Sequence, residues 1–214
     1  MSADTRTKLL AGALRTLTEQ GLAKTSARTI AATAGVNQAL VFYHFGSVDE
    51  LLAAACRHGA EQRVAHYRER FAEVGSLTEF LELGRELHAE ERAAGHVAVL
   101  AQLLAGAQTQ PRLAPATAAG LAQWIEEIEQ VLTRVLSTTP ITAFVDVPGL
   151  SRALAAGFVG LELYEGVDPE GALAALDALE QLSALIGVLE DLGPVAQRAV
   201  RARIRRSAGR RAQP

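Results

Sequence analysis

Residues 25–52 read TSARTIAATAGVNQALVFYHFGSVDELL, a pattern typical of two short helices joined by a tight turn. Thr25 and Ser26 are good N-caps for the first of these helices. Gly35 can end it in the left-handed conformation, and a new apolar group begins only a few residues later. The inward-facing positions of the first helix are Ile30, Ala31 and Ala34. With the connection Gly35-Val-Asn-Gln38, the pattern predicts a helix-turn-helix.

The second helix of this pair is short and has a largely polar outer edge. Asn37 can cap it, and it ends near Phe45 and Gly46. In such motifs a small, polar N-terminal edge faces the DNA major groove while the back of the helix packs on the core. We expect inward packing of Leu40, Val41 and Phe45. The outward or end-on positions are Asn37, Gln38, Ala39, Phe42, Tyr43 and His44.

Helical periodicity continues on both sides of this motif. Upstream, apolar residues repeat at threes and fours until Gly21, which predicts a first helix. Downstream, Ser47 and Glu50 form a capping-box pattern, which predicts a fourth helix from Ser47 to about Val74. Strand signals are weak, so the sequence predicts an all-α protein. Further helices are expected at about 77–93, 95–107, 115–137, 149–166 and 169–191.

Composition narrows the class of protein. Of the 214 residues, 49% are hydrophobic, which is enough for a sizeable core. The apolar runs are shorter than the ~20 residues of a membrane span, and the first residues lack the apolar region of a secretory signal. The single cysteine, Cys56, excludes an intramolecular disulfide. These features favour a cytoplasmic protein.

The net charge of −3 is unevenly distributed along the chain. Residues 1–46 hold five basic and two acidic residues, and residues 194–214 hold seven arginines and no acid, so residues 47–193 carry −13. A basic N-terminal segment on an acidic body is typical of a protein that touches a polyanion at one end. Solvated charged surfaces give the same counts, so charge alone leaves nucleic-acid binding open.

The run G-V-x-x-A-x-V-F-Y-H-F-x-S-x-x-E-L from Gly35 to Leu51 resembles the DNA-binding domain of the tetracycline-repressor (TetR) family. With the first helix, the resemblance covers about residues 5–52. It implies an N-terminal three-helix helix-turn-helix DNA-binding domain and a larger C-terminal helical ligand-binding and dimerisation domain. We expect the first at 1–46, the second at 47–193 and entered through helix 4, and an Arg-rich tail at 194–214.

The same resemblance implies a function and its partners. The function is that of a DNA-binding transcriptional regulator, most simply a repressor released from a pseudo-palindromic operator by an apolar or amphipathic small molecule. The expected partners are a double-stranded DNA operator, a small-molecule effector and a second copy of the chain in a homodimer. No membrane partner, cofactor, metal or catalytic residue is expected.

Residue roles follow from the resemblance position by position. Arg28 is expected to contact a base or a phosphate, and the Gln38 amide can bond adenine N6 and N7 together. Ala39 stands where a small residue lets the helix approach the groove. Backbone or phosphate contacts are expected from Thr25, Ser26, Tyr43 and His44, and Asn37 and Phe42 complete the candidate DNA-binding set.

Two positions depart from the family pattern. Phe42 stands where tyrosine is common, so one phenolic hydroxyl is absent, although the ring can still touch a thymine methyl. Val48 stands where lysine is usual at the start of helix 4, which removes one phosphate contact. The free N–H groups of that helix end can still hold a phosphate.

The helices after residue 74 are expected to hold the dimer interface and the ligand pocket. Small and apolar residues at helical spacing indicate close packing on another helix, between subunits or within the chain; the interface candidates are Ala153, Gly157, Gly160, Leu179, Leu182 and Ile186. The pocket candidates, each of which also suits a plain core, are Leu87, His88, Leu103, Trp124, Ile128, Phe158 and Glu162. Nearly all are apolar, which favours an apolar or amphipathic ligand. His88 and His96 have no partner at ligand spacing, so no metal site is predicted.

Two other functions compete with this interpretation. The first is an enzyme, in which one of the five histidines of this chain would serve as a general base. No Ser-His-Asp order, phosphate-binding glycine loop or paired-carboxylate motif accompanies these histidines. The alternative is a helical ligand-binding or scaffold protein whose DNA-binding head is not functional, which Phe42 and Val48 keep open. A salt-dependent mobility shift with DNA separates both from a regulator.

Overall fold

The computed structural model of the chain describes residues 2–137 and 145–190, with the side chains of 3–137, 145–179 and 181. These residues form nine α-helices and no strand, which confirms the predicted fold class. The helices are α1 (Ser2–Gln20), α2 (Ala27–Ala34), α3 (Ala39–Phe45), α4 (Val48–Glu73), α5 (Leu77–Ala93), α6 (His96–Thr109), α7 (Ala114–Ser137), α8 (Val147–Glu165) and α9 (Pro169–Glu190). Short 3-10 turns at Leu22–Lys24 and Pro111–Leu113 precede α2 and α7. The expected tail at 194–214 lies outside the described residues.

The helix boundaries follow the capping residues that the sequence offers. Gly21, with φ of 79°, follows the last residue of α1. Ser76 Oγ accepts a hydrogen bond of 3.1 Å from the Glu79 N–H at the start of α5, whose bounds equal the predicted 77–93. Ser47 Oγ likewise accepts from the Glu50 N–H at 3.1 Å, one half of the predicted capping box. The later helices begin and end within about two residues of the expected positions.

The chain forms two compact units, of which the first contains residues up to 68 and residues 88–124. It holds α1 to α3, most of α4, the end of α5, all of α6 and the first half of α7. Its core is one continuous apolar cluster, and the predicted inward positions of α1 to α3 belong to it. Fully buried members of the cluster include Leu9, Leu17, Ile30, Val41 and Leu51.

The second unit contains residues 69–87 and the described residues from 125 onward. Within it α8 and α9 pack against each other. Arg134 on α7 donates hydrogen bonds to the carbonyl oxygens of Phe71 and Val74, at 2.6 and 3.0 Å, so it satisfies carbonyls at the C-terminal end of α4. Arg85 on α5 pairs with Asp177 on α9 at 2.8 Å.

Among the described helices, none is long and apolar enough to cross a membrane alone, and only the bent pair of α3 and α4 passes that test when the two are taken together.

Candidate nucleic-acid interface and ligand cavity

The α2–turn–α3 segment has the geometry of a helix-turn-helix, and local hydrogen bonds fix both of its helices. Ser26 Oγ accepts from the Thr29 N–H at 3.2 Å, and Thr29 Oγ1 accepts from the Ser26 N–H at 2.9 Å, which is a complete capping box. Gly35, with φ of 66°, ends α2, and the Val36 N–H returns to the Ala31 carbonyl at 3.0 Å. The turn is therefore tightly determined, as its glycine predicted.

The N-terminal end of α3 is capped as the sequence predicted. Asn37 Oδ1 accepts a hydrogen bond of 2.8 Å from the Ala39 N–H. Val41 is fully buried, while Leu40 and Phe45 are half-buried and pack on the core. The seven-residue α3 thus has one side anchored in the first unit and the other side free to face a partner.

The side chains predicted to contact DNA are available on the outside of this segment. Tyr43 is 78% exposed and Phe42 is 50% exposed. Half-buried positions are Thr25 and His44, and exposed positions are Ser26, Arg28, Asn37, Gln38 and Ala39. The structure therefore brings the whole predicted set to one connected surface segment, although their contacts with DNA stay a prediction.

Aromatic and basic residues around α3 add to this surface. The Tyr43 and His44 rings meet edge to face with centroids 5.0 Å apart. The Arg6 guanidinium of α1 lies 5.1 Å from the centre of the Phe45 ring, which is a cation–π distance. Lys24, exposed just before α2, is a further cation near this surface, and no DNA contact was predicted for it. Because Lys24 directly precedes Thr25 and Ser26, its position in the sequence could have indicated a phosphate contact.

α1 holds α2 at unusually short range. A Cβ atom at Gly12 would lie 2.8 Å from Ala34 Cβ and 3.2 Å from the Ala34 backbone, so only glycine fits at this crossing without a shift. Beside it, Thr16 Oγ1 lies 3.1 Å from Thr33 Oγ1 and donates to the Gly12 carbonyl at 2.8 Å. Because the two helices are in direct contact, a displacement of α1 must carry α2 with it.

One polar contact ties α6 to the turn between α1 and α2. Gln102 Oε1 on α6 accepts a hydrogen bond of 3.0 Å from the Leu22 N–H. A Cβ atom at Gly106, one turn further along α6, would lie 2.6 Å from Leu22 Cδ2, so α6 passes close to the side chain of this turn. α6 therefore braces the start of the helix-turn-helix, a link that sequence periodicity did not predict.

The first unit contains a cavity of about 140 Å³ between α1, α4, α6 and α7. Each helix contributes residues at helical spacing, and the apolar part of the wall comes from leucines and valine with Trp124. The lining consists of Leu14, Arg15, Thr18, Cys56, Ala60, Arg63, His96, Val99, Leu100, Leu103, Thr117, Gly120, Leu121 and Trp124. Two of the predicted pocket residues, Leu103 and Trp124, are thus in its wall.

A buried polar network lies behind this wall. Glu91 on α5 is nearly fully buried and accepts a hydrogen bond of 3.0 Å from the Tyr67 hydroxyl. Its other oxygen lies 3.0 Å from Arg63 Nε and 3.1 Å from His96 Nδ1. Burial and the neighbouring Glu91 raise the pKa of the Tyr67 hydroxyl, so it stays protonated and donates to that carboxylate. The ring of Tyr67 is 6.0 Å from that of Trp124.

The remaining predicted pocket residues lie elsewhere. His88 is buried in the first unit. In the second unit Leu87 and Glu162 are buried, while Ile128 and Phe158 are half-buried. Their role in ligand binding stays a prediction. Arg15, Cys56, Arg63 and His96 of the cavity wall were not among the predicted residues, because on a helix their spacing is equally typical of core and of surface.

The predicted dimer residues whose side chains are described, Ala153, Gly157, Gly160 and Leu179, are exposed on α8 and α9. A Cβ atom at either glycine would meet nothing within 4 Å. The side chains of Leu182 and Ile186 lie outside the described residues. Large apolar side chains are exposed on the same pair of helices, at Leu163, Tyr164, Leu173 and Leu179, and Val167 is exposed in the turn between them.

Comparison with known proteins agrees with this architecture. Residues 9–55 match the family profile described as bacterial regulatory proteins, tetR family. The chain is 26% identical to SCO7518 of Streptomyces coelicolor A3(2), assigned to the transcriptional regulators, with a TM-score of 0.65 over 84% of this chain and 98% of that one. The multidrug binding protein EbrR, solved with proflavin, is 27% identical, with a TM-score of 0.57 over 82% and 99% of the two chains.

GusR of Salmonella enterica, at 22% identity, shares the fold with a TM-score of 0.66 over 87% of this chain and 95% of its own. No curated protein matches the chain by sequence. The capped helix-turn-helix, its outward polar edge and the helical body define a DNA-binding transcriptional regulator. Residues 9–55 are thus a DNA-binding domain of the tetR family type, and the chain as a whole is similar in fold to the solved regulator SCO7518.

Proposed function

We propose that the protein is a cytoplasmic, homodimeric repressor that binds a pseudo-palindromic operator and leaves it when an apolar or amphipathic small molecule binds. The observation that carries this proposal is the outward edge of the helix-turn-helix, where Gln38 and Arg28 are exposed beside Tyr43. A rigid turn, a buried back and a polar front are what entry into the major groove requires. We propose no catalytic activity, in line with the non-enzymatic class of the family.

The roles divide between reading and anchoring. Gln38 stands at the N-terminal end of α3, where a side chain reaches base edges first. Arg28 forms no ion pair within the described residues, so its guanidinium is available to DNA. The phenol of Tyr43, being the most exposed of the aromatic groups on α3, suits a phosphate contact.

A dimer completes the DNA-binding unit. One α3 of seven residues reads only a few base pairs, and two copies related by a two-fold axis supply the rest of a site. The exposed residues of α8 and α9 support this assembly. Leu173 is 54% exposed and Leu179 is 45% exposed there, and burying such side chains favours association. The exposed Gly157 and Gly160 allow a second helix to approach closely.

Ligand-dependent release has a physical route in the first unit. The cavity is bounded by α1 and α6, the two helices that hold the helix-turn-helix. A ligand that binds the DNA-free form more tightly shifts the equilibrium by its differential affinity.

The test is a mobility shift with DNA from upstream of the protein's own gene. Arg28→Ala should weaken retardation, whereas Arg57→Ala, which removes an exposed arginine outside the motif, should not. Trp124→Leu should weaken release by apolar compounds and leave DNA affinity nearly unchanged. No retardation by the wild type would favour the scaffold alternative, and equal loss in both arginine variants would refute the role proposed for Arg28.

A further inference from the structure

The cavity of the first unit is small and has a defined chemistry. Its volume of about 140 Å³ is close to the ~150 Å³ of an engineered apolar cavity that binds benzene. Most of its wall is hydrocarbon, and Trp124 offers a ring face. A single aromatic ring therefore fits inside, while a multi-ring compound needs more space than the cavity offers.

The charged groups at this cavity are cationic. They are Arg15 and Arg63, which both belong to the wall. The hydroxyls of Thr18 and Thr117 already donate to carbonyls of their own helices, at 3.0 Å each. Neither hydroxyl therefore needs an acceptor on a ligand. We expect the arginines of the wall to recognise the polar group of the ligand.

Glu91 pairs with Arg63 and leaves the charge of Arg15 without an acidic partner among the described residues. Glu91 already has Tyr67, Arg63 and His96 as neighbours within 3.1 Å. Arg63 Nε is buried 3.0 Å from that carboxylate without the geometry of a hydrogen bond, so the guanidinium is incompletely used. Arg15 is exposed and forms no ion pair with any described residue. A cation without an acidic partner at the edge of a largely apolar cavity favours an anionic ligand.

We propose that this cavity binds a small amphipathic monocarboxylate, a single aromatic ring whose carboxylate meets Arg15 and Arg63. The ring lies among Val99, Leu103 and Trp124, and the carboxylate points to the cationic wall. This assignment rests on the proposed function, since it names the chemical class of the effector. It also excludes aromatic cations, because they would face two arginines.

The position of the cavity explains how such a ligand would act. Leu14 and Arg15 in its wall belong to α1, which contacts α2 directly at Gly12. A ligand between α1 and α6 therefore changes the support of the helix-turn-helix within one compact unit. Occupancy should lower the affinity for the operator.

The sequence supplies its own probe, because Trp124 is the single tryptophan of the chain and lies in the cavity wall. We suggest titrating the full-length protein with benzoate, benzyl alcohol and benzylamine while following Trp124 fluorescence. Benzoate should produce a saturable change at lower concentration than either of the others. Arg15→Gln should weaken benzoate about five- to tenfold, as expected for one partly exposed charge-assisted hydrogen bond. Benzyl alcohol binding should stay unchanged in that variant.

Arg57→Gln is the matched control, since it removes an exposed arginine of α4 that is not in the wall. It should leave benzoate binding unaltered. Equal binding of benzoate and benzyl alcohol, an unchanged benzoate affinity in Arg15→Gln, or no response of Trp124 to any of the three overturns the inference. A protein that retards its operator but ignores benzoate refutes this inference alone. One that binds benzoate but never binds DNA refutes the proposed function instead.

Discussion

The contact between α1 and α2 allows a sharp test of how the DNA-binding motif is held. In Gly12→Ala the new Cβ would start 2.8 Å from Ala34 Cβ and 3.2 Å from Ala34 Cα and N. Carbon atoms are most stable about 3.5–4.0 Å apart, so the helices must separate by roughly 1 Å. Overpacking of this kind costs about 1–3 kcal/mol. Replacing a helical glycine by alanine returns about 1 kcal/mol.

Gly84→Ala is the matched control for this experiment. Gly84 also lies inside a helix, α5, but a Cβ atom there would meet nothing within 4 Å. We therefore expect Gly84→Ala to stabilise the protein by about 1 kcal/mol and Gly12→Ala to be neutral or destabilising by up to about 2 kcal/mol. Urea unfolding of both variants at one protein concentration measures the difference, because stability of a dimer depends on concentration.

The same pair of variants connects stability to function. A separation of α1 and α2 tilts the segment that carries α3, so Gly12→Ala should also weaken operator binding, whereas Gly84→Ala should not. If Gly12→Ala stabilises the protein as much as Gly84→Ala does, the close α1–α2 contact is absent and this reasoning is refuted.

Three further predictions follow from the described surfaces. Gln38→Ala should relax preference at one position of each half-site by ~1–3 kcal/mol, while Tyr43→Phe should weaken all sequences about equally; identical binding profiles across operator variants would contradict the separate roles. Gly157→Arg should give a folded monomer in sedimentation analysis, because the residue is exposed in the single chain but would lie within the proposed interface; a stable dimer would place the interface elsewhere. Burial raises the pKa of the Cys56 thiol to about 11, so at pH 7.5 only roughly one thiol in three thousand is ionised. Alkylation of this single cysteine should therefore be slow and accelerate as the pH rises, and fast labelling of the folded protein at pH 7.5 would show that the cavity wall is not closed.

The helices and the motif were predictable because they depend on local signals. The residues that set the helix ends act on backbone groups within five residues of themselves. In the structure Ser26 caps the N-terminal end of α2, Gly35 ends α2, and Asn37 caps the N-terminal end of α3. The bounds of α5 follow in the same way from Ser76. Helix caps can therefore be predicted from the local sequence without knowledge of the rest of the fold.

The cavity was harder to predict from the sequence, because it depends on which helix faces meet in the folded chain. His96, Val99 and Leu103 repeat at threes and fours, which is also the pattern of a fully packed core. From the sequence alone Arg63 is typical of a surface residue. In the structure Arg63 on α4 lies 3.0 Å from Glu91 near the end of α5. Unfilled space and a buried charge network arise only from tertiary packing, and helical spacing carries no information about either.

The central claim, that this helix-turn-helix grips DNA as a dimer, is tested most directly by the salt dependence of operator binding. Lys24 and Arg28 are exposed on each protomer, so a dimer offers at least four cations to phosphates. At ~0.9 per neutralised phosphate, the slope of log affinity against log salt should be about −3.6 or steeper. Fluorescence anisotropy with a labelled upstream DNA fragment, measured between about 50 and 300 mM salt, gives this slope together with the stoichiometry. Two protomers per site and a steep slope are the predicted result, and a slope near zero or equal affinity for unrelated DNA would contradict the account.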